Sequence, residues 1–207
     1  MTKARLLKVA ERLFAEKGFA AVSVREITAA AGVHLSAVNY HFDSKEKLYL
    51  EVFRSRWLPK ARRLSALLDK LAERESLTGR ELTETLTKAM LADPPLKPEE
   101  VLRHHRLMVW EMVHPGQASD LLAREFLKPV LEKLKNLLAR VLPTETGEER
   151  LTFLSLSIMS LIRYYNQGRP MITMVLGPKR APEFMAGVAD QLSEFILHGL
   201  QAPGEES

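Results

Sequence analysis

The sequence predicts an all-α fold, and three observations lead to this prediction. Apolar residues recur every three or four positions along almost the whole chain, which is the spacing of one helix face. Helix-start patterns of the form Ser/Thr-x-x-Glu occur at Ser23 and Glu26, and again at Thr78 and Glu81. No stretch alternates between apolar and polar residues as a half-buried strand would. We therefore expect about nine or ten helices and no sheet.

Four helices are predicted in the first part of the chain, over residues 2–17, 23–32, 35–41 and 43–73. Gly18 ends the first helix, and Ser23 caps the second. Gly32 ends the second helix at a point where the backbone must become left-handed. Asp43 is expected to cap the fourth helix, and Pro59 to kink it.

The remaining helices are predicted over residues 78–92, 98–114, 119–141, 146–167, 171–176 and 182–200. Pro- and Gly-containing segments such as Asp93-Pro94-Pro95 separate them. Ser119 and Thr146 are expected to cap two of these helices, and Pro129 to bend one. The tail 202–207 is expected to be disordered.

The composition bounds the class of protein. The chain has 207 residues, 46% of them hydrophobic, so it can bury a sizeable core. It has no cysteine, which excludes a disulfide framework and thiol catalysis. Its charged N-terminal helix does not resemble a signal peptide, and no run of about 20 apolar residues exists. We therefore expect a cytoplasmic protein that does not enter a membrane.

Two short helices around Gly32 have the layout of a helix-turn-helix, whose second helix enters the DNA major groove. The excess positive charge lies in the same part of the chain. The first 60 residues carry 11 Lys/Arg and 6 Asp/Glu, whereas the rest carry 19 and 20. This is the charge distribution of a phosphate-facing module on a neutral body, although chance surface variation gives a similar excess.

The predicted recognition helix has an apolar and a polar side. Val38 and Phe42 should pack inward. The candidate DNA-binding residues are Arg25, His34, Leu35, Ser36, Asn39, Tyr40, His41 and Lys45. Asn39 can pair with the N6 and N7 atoms of adenine, and Leu35 can touch a thymine methyl. A lone surface Asn is more often only solvated, and His41 is equally compatible with a packing role.

A family resemblance strengthens this interpretation. The segments Ala31-Gly32-Val33, Val38-Asn39-Tyr40-His41-Phe42 and Ser44-Lys45-Glu46-Lys47-Leu48 closely resemble the DNA-binding region of tetracycline-repressor (TetR) family regulators. The resemblance covers roughly residues 3 to 50. It implies phosphate contacts at Tyr40, His41 and Lys45, and base-facing positions at 34–36 and 39. Many relatives carry Ser or Thr where this chain has His34, which leaves the operator sequence open.

A second resemblance concerns the body. His114-Pro115, Arg169-Pro170 and Leu176-Gly177, with the helices between them, are similar to the C-terminal domain of the CecR-like branch. This resemblance implies a homodimer that responds to a small molecule. We expect the dimer to form through helices 148–167 and 182–200, whose apolar positions are equally compatible with a core role. These positions are Leu154, Ile158, Leu161, Val188, Leu192, Phe195 and Ile196.

An effector pocket is expected between helices of the body. Its candidate walls are Met108, Trp110, Met112, Met159 and Tyr164, with His105 and Arg163 as polar groups. For each polar group a surface or core role is the commoner one. His104 and Glu111 are seven positions apart, but no complete set of metal ligands appears, and no cofactor is indicated.

The predicted organisation is therefore a helix-turn-helix domain at 1–50, a helical effector-binding and dimerisation domain at 51–200, and a tail at 201–207. We expect a transcriptional repressor that binds a palindromic DNA operator as a homodimer and is released by an unknown small-molecule effector. An enzyme is a weaker alternative, because no nucleophile elbow, phosphate loop or paired carboxylates appear. An interaction module with a vestigial helix-turn-helix is a third.

Overall fold

The structure, a computed structural model, describes residues 2–92 and 98–201. These residues form helices and no strand, as predicted. The helices are α1 (Thr2–Ala21), α2 (Val24–Ala31), α3 (Ser36–Phe42), α4 (Lys45–Ala72), α5 (Gly79–Leu91), α6 (Pro98–Val113), α7 (Gln117–Leu122), α8 (Lys128–Val141), α9 (Glu148–Gln167), α10 (Arg169–Leu176) and α11 (Ala181–Gln201). The predicted break at Asp93-Pro94-Pro95 and the tail from 202 lie outside the described residues.

The chain forms two compact units. Unit 1 comprises Met1–Arg62 and Pro95–Lys128, and unit 2 comprises Arg63–Pro94 and Pro129–Ser207. The functional boundary at residue 50 stays a prediction. In the part of the chain that the structure describes, no helix has both the length and the apolar character that crossing a membrane requires.

The core of unit 1 joins the first four helices to α6 and α7. Leu6 and Phe14 of α1, Ile27 of α2, Val38 of α3 and Phe53 of α4 are all fully buried. Burying side chains of this size contributes about 1.5–3 kcal/mol each. One continuous core therefore fixes the orientation of α3.

Unit 2 is built around α5, α9 and α11, which pack on one another. Thr78 and Glu81 form the predicted capping box at the start of α5. Leu82 and Leu86 of α5, Ile158 of α9 and Ile196 of α11 supply buried apolar side chains. The Arg80 guanidinium on α5 also pairs with the Glu194 carboxylate on α11.

Some predicted helix starts are wrong. Ser119 does not cap a helix, because α7 begins at Gln117 and the Ser119 hydroxyl bonds Glu111 instead. Thr146 does not cap α9, whose N-cap is Gly147. A π-helical turn at Ala123–Leu127 directly precedes α8, and Pro129, where a bend is predicted, lies in the first turn of α8. Proline removes one backbone donor, and a wider turn accommodates the loss.

Candidate DNA-binding surface

The turn between α2 and α3 is fixed by local interactions. The Ser23 hydroxyl accepts a hydrogen bond from the Glu26 amide and caps α2, as predicted. Gly32 has φ 60° and ψ 44°, the left-handed conformation that glycine adopts without a steric penalty. The Val33 amide then donates to the Thr28 carbonyl at 3.0 Å. These contacts set the angle at which the chain enters α3.

α3 buries its apolar side and exposes its polar side. Val38 is 0% and Phe42 6% exposed, whereas Tyr40 is 83% exposed. His34, Leu35, Ser36 and Asn39 are also exposed. The structure thus gathers five of the predicted DNA-binding residues on one surface, which we call the reading face and define as His34, Leu35, Ser36, Asn39 and Tyr40.

The other three candidates lie around the reading face. Arg25 is exposed on α2. His41 is half-buried and lies edge-on to Tyr40, with 4.9 Å between ring centroids. The Lys45 ammonium donates to the carbonyls of Phe19 and Val22, at 3.0 and 2.9 Å. Lys45 therefore ties the end of α1 to α4 and has at most one proton left for a phosphate.

The link between α3 and α4 differs from the prediction. Ser44 caps α4, because its hydroxyl accepts from the Lys47 amide at 3.1 Å. Asp43 instead ends α3 with φ 65°, a conformation that residues other than glycine seldom adopt. Its carboxylate pairs with Lys47 at 2.8 Å. Both residue types are good N-caps, so the sequence alone did not separate them.

Sequence reasoning missed a contact that supports the turn. The Arg5 guanidinium on α1 donates to the Gly32 carbonyl at 3.3 Å. The two residues are 27 positions apart, and no pattern in the sequence connects them.

A buried carboxylate at Glu11 joins three helices of unit 1. Glu11 lies on α1 and receives a hydrogen bond from Arg56 Nε of α4 at 2.7 Å. Arg103 Nε of α6 lies 3.4 Å and His104 Nε2 3.3 Å from its other oxygen. Burial alone would raise the pKa of Glu11, but the contacts with His104 and Arg56 outweigh it and lower the pKa to about 2.

A second buried carboxylate, Glu111 of α6, holds α4 and α7. It accepts hydrogen bonds from the Tyr49 hydroxyl at 2.8 Å, the Ser119 amide at 2.8 Å and the Ser119 hydroxyl at 2.7 Å. Burial, with this carboxylate beside it, raises the pKa of Tyr49 above its ordinary value. Nothing in the local sequence marked either carboxylate as a helix-joining group.

The candidate effector residues are divided between the two units. Met108 packs on the core of unit 1, and the Trp110 ring lies against Gly18. His105 and Met112 of the same unit are exposed. In unit 2, Met159 is half-buried, and Arg163 and Tyr164 are exposed. Met108 and Trp110 thus have packing roles, and effector binding by the set stays a prediction.

The candidate dimer residues also separate into two groups. Ile158, Val188, Leu192 and Ile196 are buried within unit 2. Leu154 and Leu161 are half-buried, and Phe195 is 65% exposed. The same two helices expose Phe153 and Leu156, which the prediction did not include. We call Phe153, Leu156 and Phe195 the outer apolar face.

Two family models match the chain. Residues 6–52 match bacterial regulatory proteins of the tetR family. Residues 80–200 match the C-terminal domain of the HTH-type transcriptional dual regulator CecR. The HTH-type transcriptional repressor KstR2 of Rhodococcus jostii is 44% identical over 52 residues. That match covers 25% of this chain and 26% of KstR2, so it spans about a quarter of the curated relative.

Solved structures share the fold over nearly the whole chain. A bacterial regulatory protein in the tetR family from Rhodococcus RHA1 has a TM-score of 0.63 at 15% identity, covering 99% of both chains. The ketosteroid transcriptional regulator KstR2 of Mycobacterium tuberculosis has a TM-score of 0.57 at 20% identity, covering 97% of this chain and 95% of its own. At these identities the likeness shows the fold.

The comparisons confirm both resemblances seen in the sequence. Proteins of this family regulate transcription, so the enzyme alternative is set aside. The chain belongs to the TetR family of bacterial regulatory proteins, in the branch that carries a CecR-type C-terminal domain.

Proposed function

We propose that this chain is a homodimeric transcriptional repressor that binds a palindromic operator through α3 and is released by a small-molecule effector. The observation that carries the proposal is the reading face. Ser36, Asn39 and Tyr40 are exposed on α3, whose opposite side is buried, and His34 and Leu35 are exposed directly before it. A helix held in this way can enter the major groove without unfolding anything else.

A selection experiment tests the proposal. Purified protein is incubated with a pool of randomised duplexes, and the bound fraction is sequenced. We expect an inverted repeat whose half-sites are separated by about one helical turn or a multiple of it, because one short helix touches few base pairs. A pool that yields no preferred sequence would reject the proposal and favour an interaction module.

The Asn39→Ala variant is expected to lose base preference at one position of each half-site. Removing a bidentate amide–adenine pair costs about 1–3 kcal/mol of discrimination, while affinity for unrelated duplexes stays nearly constant. Fluorescence anisotropy with single-base operator variants measures the difference. Asn136→Ala, which removes an exposed amide from α8, is the matched control. An equal loss of affinity for every duplex would show that Asn39 does not read a base.

The outer apolar face supports the dimer. Phe153 and Phe195 are 68% and 65% exposed, and two large aromatic side chains in water on neighbouring helices are typical of an interface. α9 and α11 contact each other, so they can present a common surface to a second copy. The sequence predicts these two helices and Phe195 as part of the interface, and exposed Phe153 and Leu156 extend the predicted surface.

The Phe195→Glu variant is expected to be monomeric at micromolar concentration. A carboxylate in an apolar interface would be desolvated without a partner, which costs more than the lost ring contacts alone. Sedimentation velocity measures the change in mass. Leu102→Glu places the same charge at an exposed apolar position of α6 and should leave the dimer intact. A Phe195→Glu protein that remains dimeric would place the interface elsewhere.

Release by an effector requires that the ligand bind one of two states of the dimer more tightly. A coupling of about 1–3 kcal/mol would change operator affinity roughly 5- to 150-fold. Small molecules carried through purification, identified by native mass spectrometry, are the first candidates to add to the operator-binding assay. Tighter operator binding with the ligand would reverse the proposed sign.

A further inference from the structure

The residue that precedes α3 makes an unusual contact with its first turn. Leu35 occupies the N-cap position of α3 but supplies no side-chain hydrogen bond. The His34 imidazole makes the side-chain contact with the start of α3 instead. Its Nδ1 lies 2.9 Å from the Ser36 hydroxyl oxygen and 3.4 Å from the Ser36 amide nitrogen. The imidazole is therefore held in place by Ser36, although both residues are exposed.

The contact with the Ser36 amide indicates one tautomer of the imidazole. A backbone amide can only donate, so the Nδ1 atom facing the Ser36 amide must present its lone pair. The proton of the neutral ring is then on Nε2. In this tautomer the Ser36 hydroxyl donates to Nδ1, which leaves the lone pairs of the hydroxyl oxygen free to accept.

This tautomer fixes which of the two side chains donates a hydrogen bond to a base and which accepts one. His34 offers one outward donor, Nε2–H, and Ser36 offers an acceptor. In the major groove, guanine presents acceptors at N7 and O6 and adenine one at N7, whereas cytosine presents only the N4 amino donor. The amino groups of adenine and cytosine can donate a hydrogen bond to a hydroxyl oxygen.

We propose that His34 and Ser36 act as one reading pair of fixed polarity, in which His34 selects a base with a major-groove acceptor, guanine first, and rejects cytosine. The inference rests on the proposed operator binding and deepens it by naming the chemistry at one base position.

The test uses His34→Ser. A serine hydroxyl at position 34 can accept from the Ser36 amide in place of Nδ1, but it cannot place a donor where Nε2–H lies. Duplex selection is run in parallel with the unaltered protein, His34→Ser and Ser36→Ala, and thermal unfolding checks that all three are folded. With the unaltered protein we expect cytosine to be depleted about five- to tenfold at one position of each half-site.

The variants separate reading from capping. In His34→Ser this depletion should disappear, while affinity for an unrelated duplex changes less than about twofold. In Ser36→Ala the depletion of cytosine should weaken, because the imidazole loses the hydroxyl that holds the ring in place. Equal selectivity of His34→Ser and the unaltered protein would overturn the proposal. If the unaltered protein selects no sequence, the proposed function itself fails, which is a different result.

Discussion

Substituting Gly18 by alanine is expected to destabilise unit 1 by roughly 2–4 kcal/mol. Gly18 has φ 77° and ψ 165°, a backbone region populated almost only by glycine. An added Cβ would also lie 3.2 Å from Cε2 of the Trp110 ring, which packs against this point of α1. Chemical unfolding followed by circular dichroism would show the loss as a lower midpoint.

A control for this variant is available in the same chain. Gly147 has φ −68°, and a Cβ added there would meet no atom within 4 Å. Gly147→Ala should therefore change stability by less than about 0.5 kcal/mol. Combining Gly18→Ala with Trp110→Phe separates the two causes, since a smaller ring relieves the contact but not the backbone strain. An unfolding midpoint that does not move in Gly18→Ala would contradict the backbone conformation and the Trp110 contact given for Gly18.

Stability is expected to fall in acid through Glu11. Its pKa is about 2 in the folded protein and 4.5 in the unfolded chain, so the folded state binds fewer protons. This contribution is fully present above pH 4.5 and is lost as the pH falls from 4.5 towards 2. It amounts to roughly 3 kcal/mol. Chemical unfolding at a series of pH values between 7 and 2.5 measures it.

The Glu11→Gln variant isolates this contribution from that of other acids. At pH 7 it should be less stable than the unaltered protein, because Arg56 and Arg103 lose their counter-charge in a partly buried place. The difference should shrink as the pH falls through 4.5. Glu16→Gln, on an exposed position of the same helix, should show no such convergence. A constant difference at all pH values would mean that folding does not lower the pKa of Glu11.

Local interactions explain why the helix-turn-helix could be predicted. The cap at Ser23 reaches only to Glu26, and the turn at Gly32 depends on the conformational freedom of one residue. The inward placement of Val38 and Phe42 follows from helical periodicity. Each of these features is encoded within a few neighbouring residues, and the structure confirms each.

Contacts between distant parts of the chain could not be predicted in this way. The charge of Lys45 and the family resemblance predict a contact with a DNA phosphate. The structure shows that its ammonium donates to the carbonyls of Phe19 and Val22, which lie 26 and 23 positions away in the chain. Glu11 meets Arg103 across 92 positions. Helical periodicity shows that a residue lies on an apolar face, but it does not show whether that face packs in the core or at an interface. For this reason the sequence predicts buried Ile158 and exposed Phe195 alike as dimer residues.

The bond between Tyr49 and Glu111 limits how this protein can drift in sequence. Phenylalanine at position 49 would leave a buried carboxylate with one donor fewer, and an apolar residue at 111 would leave both a phenol and the first amides of α7 without their acceptor. Neither change is neutral alone. Among descendants of this chain, positions 49 and 111 should therefore be replaced together, which would make them an evolutionary pair despite lying 62 positions apart.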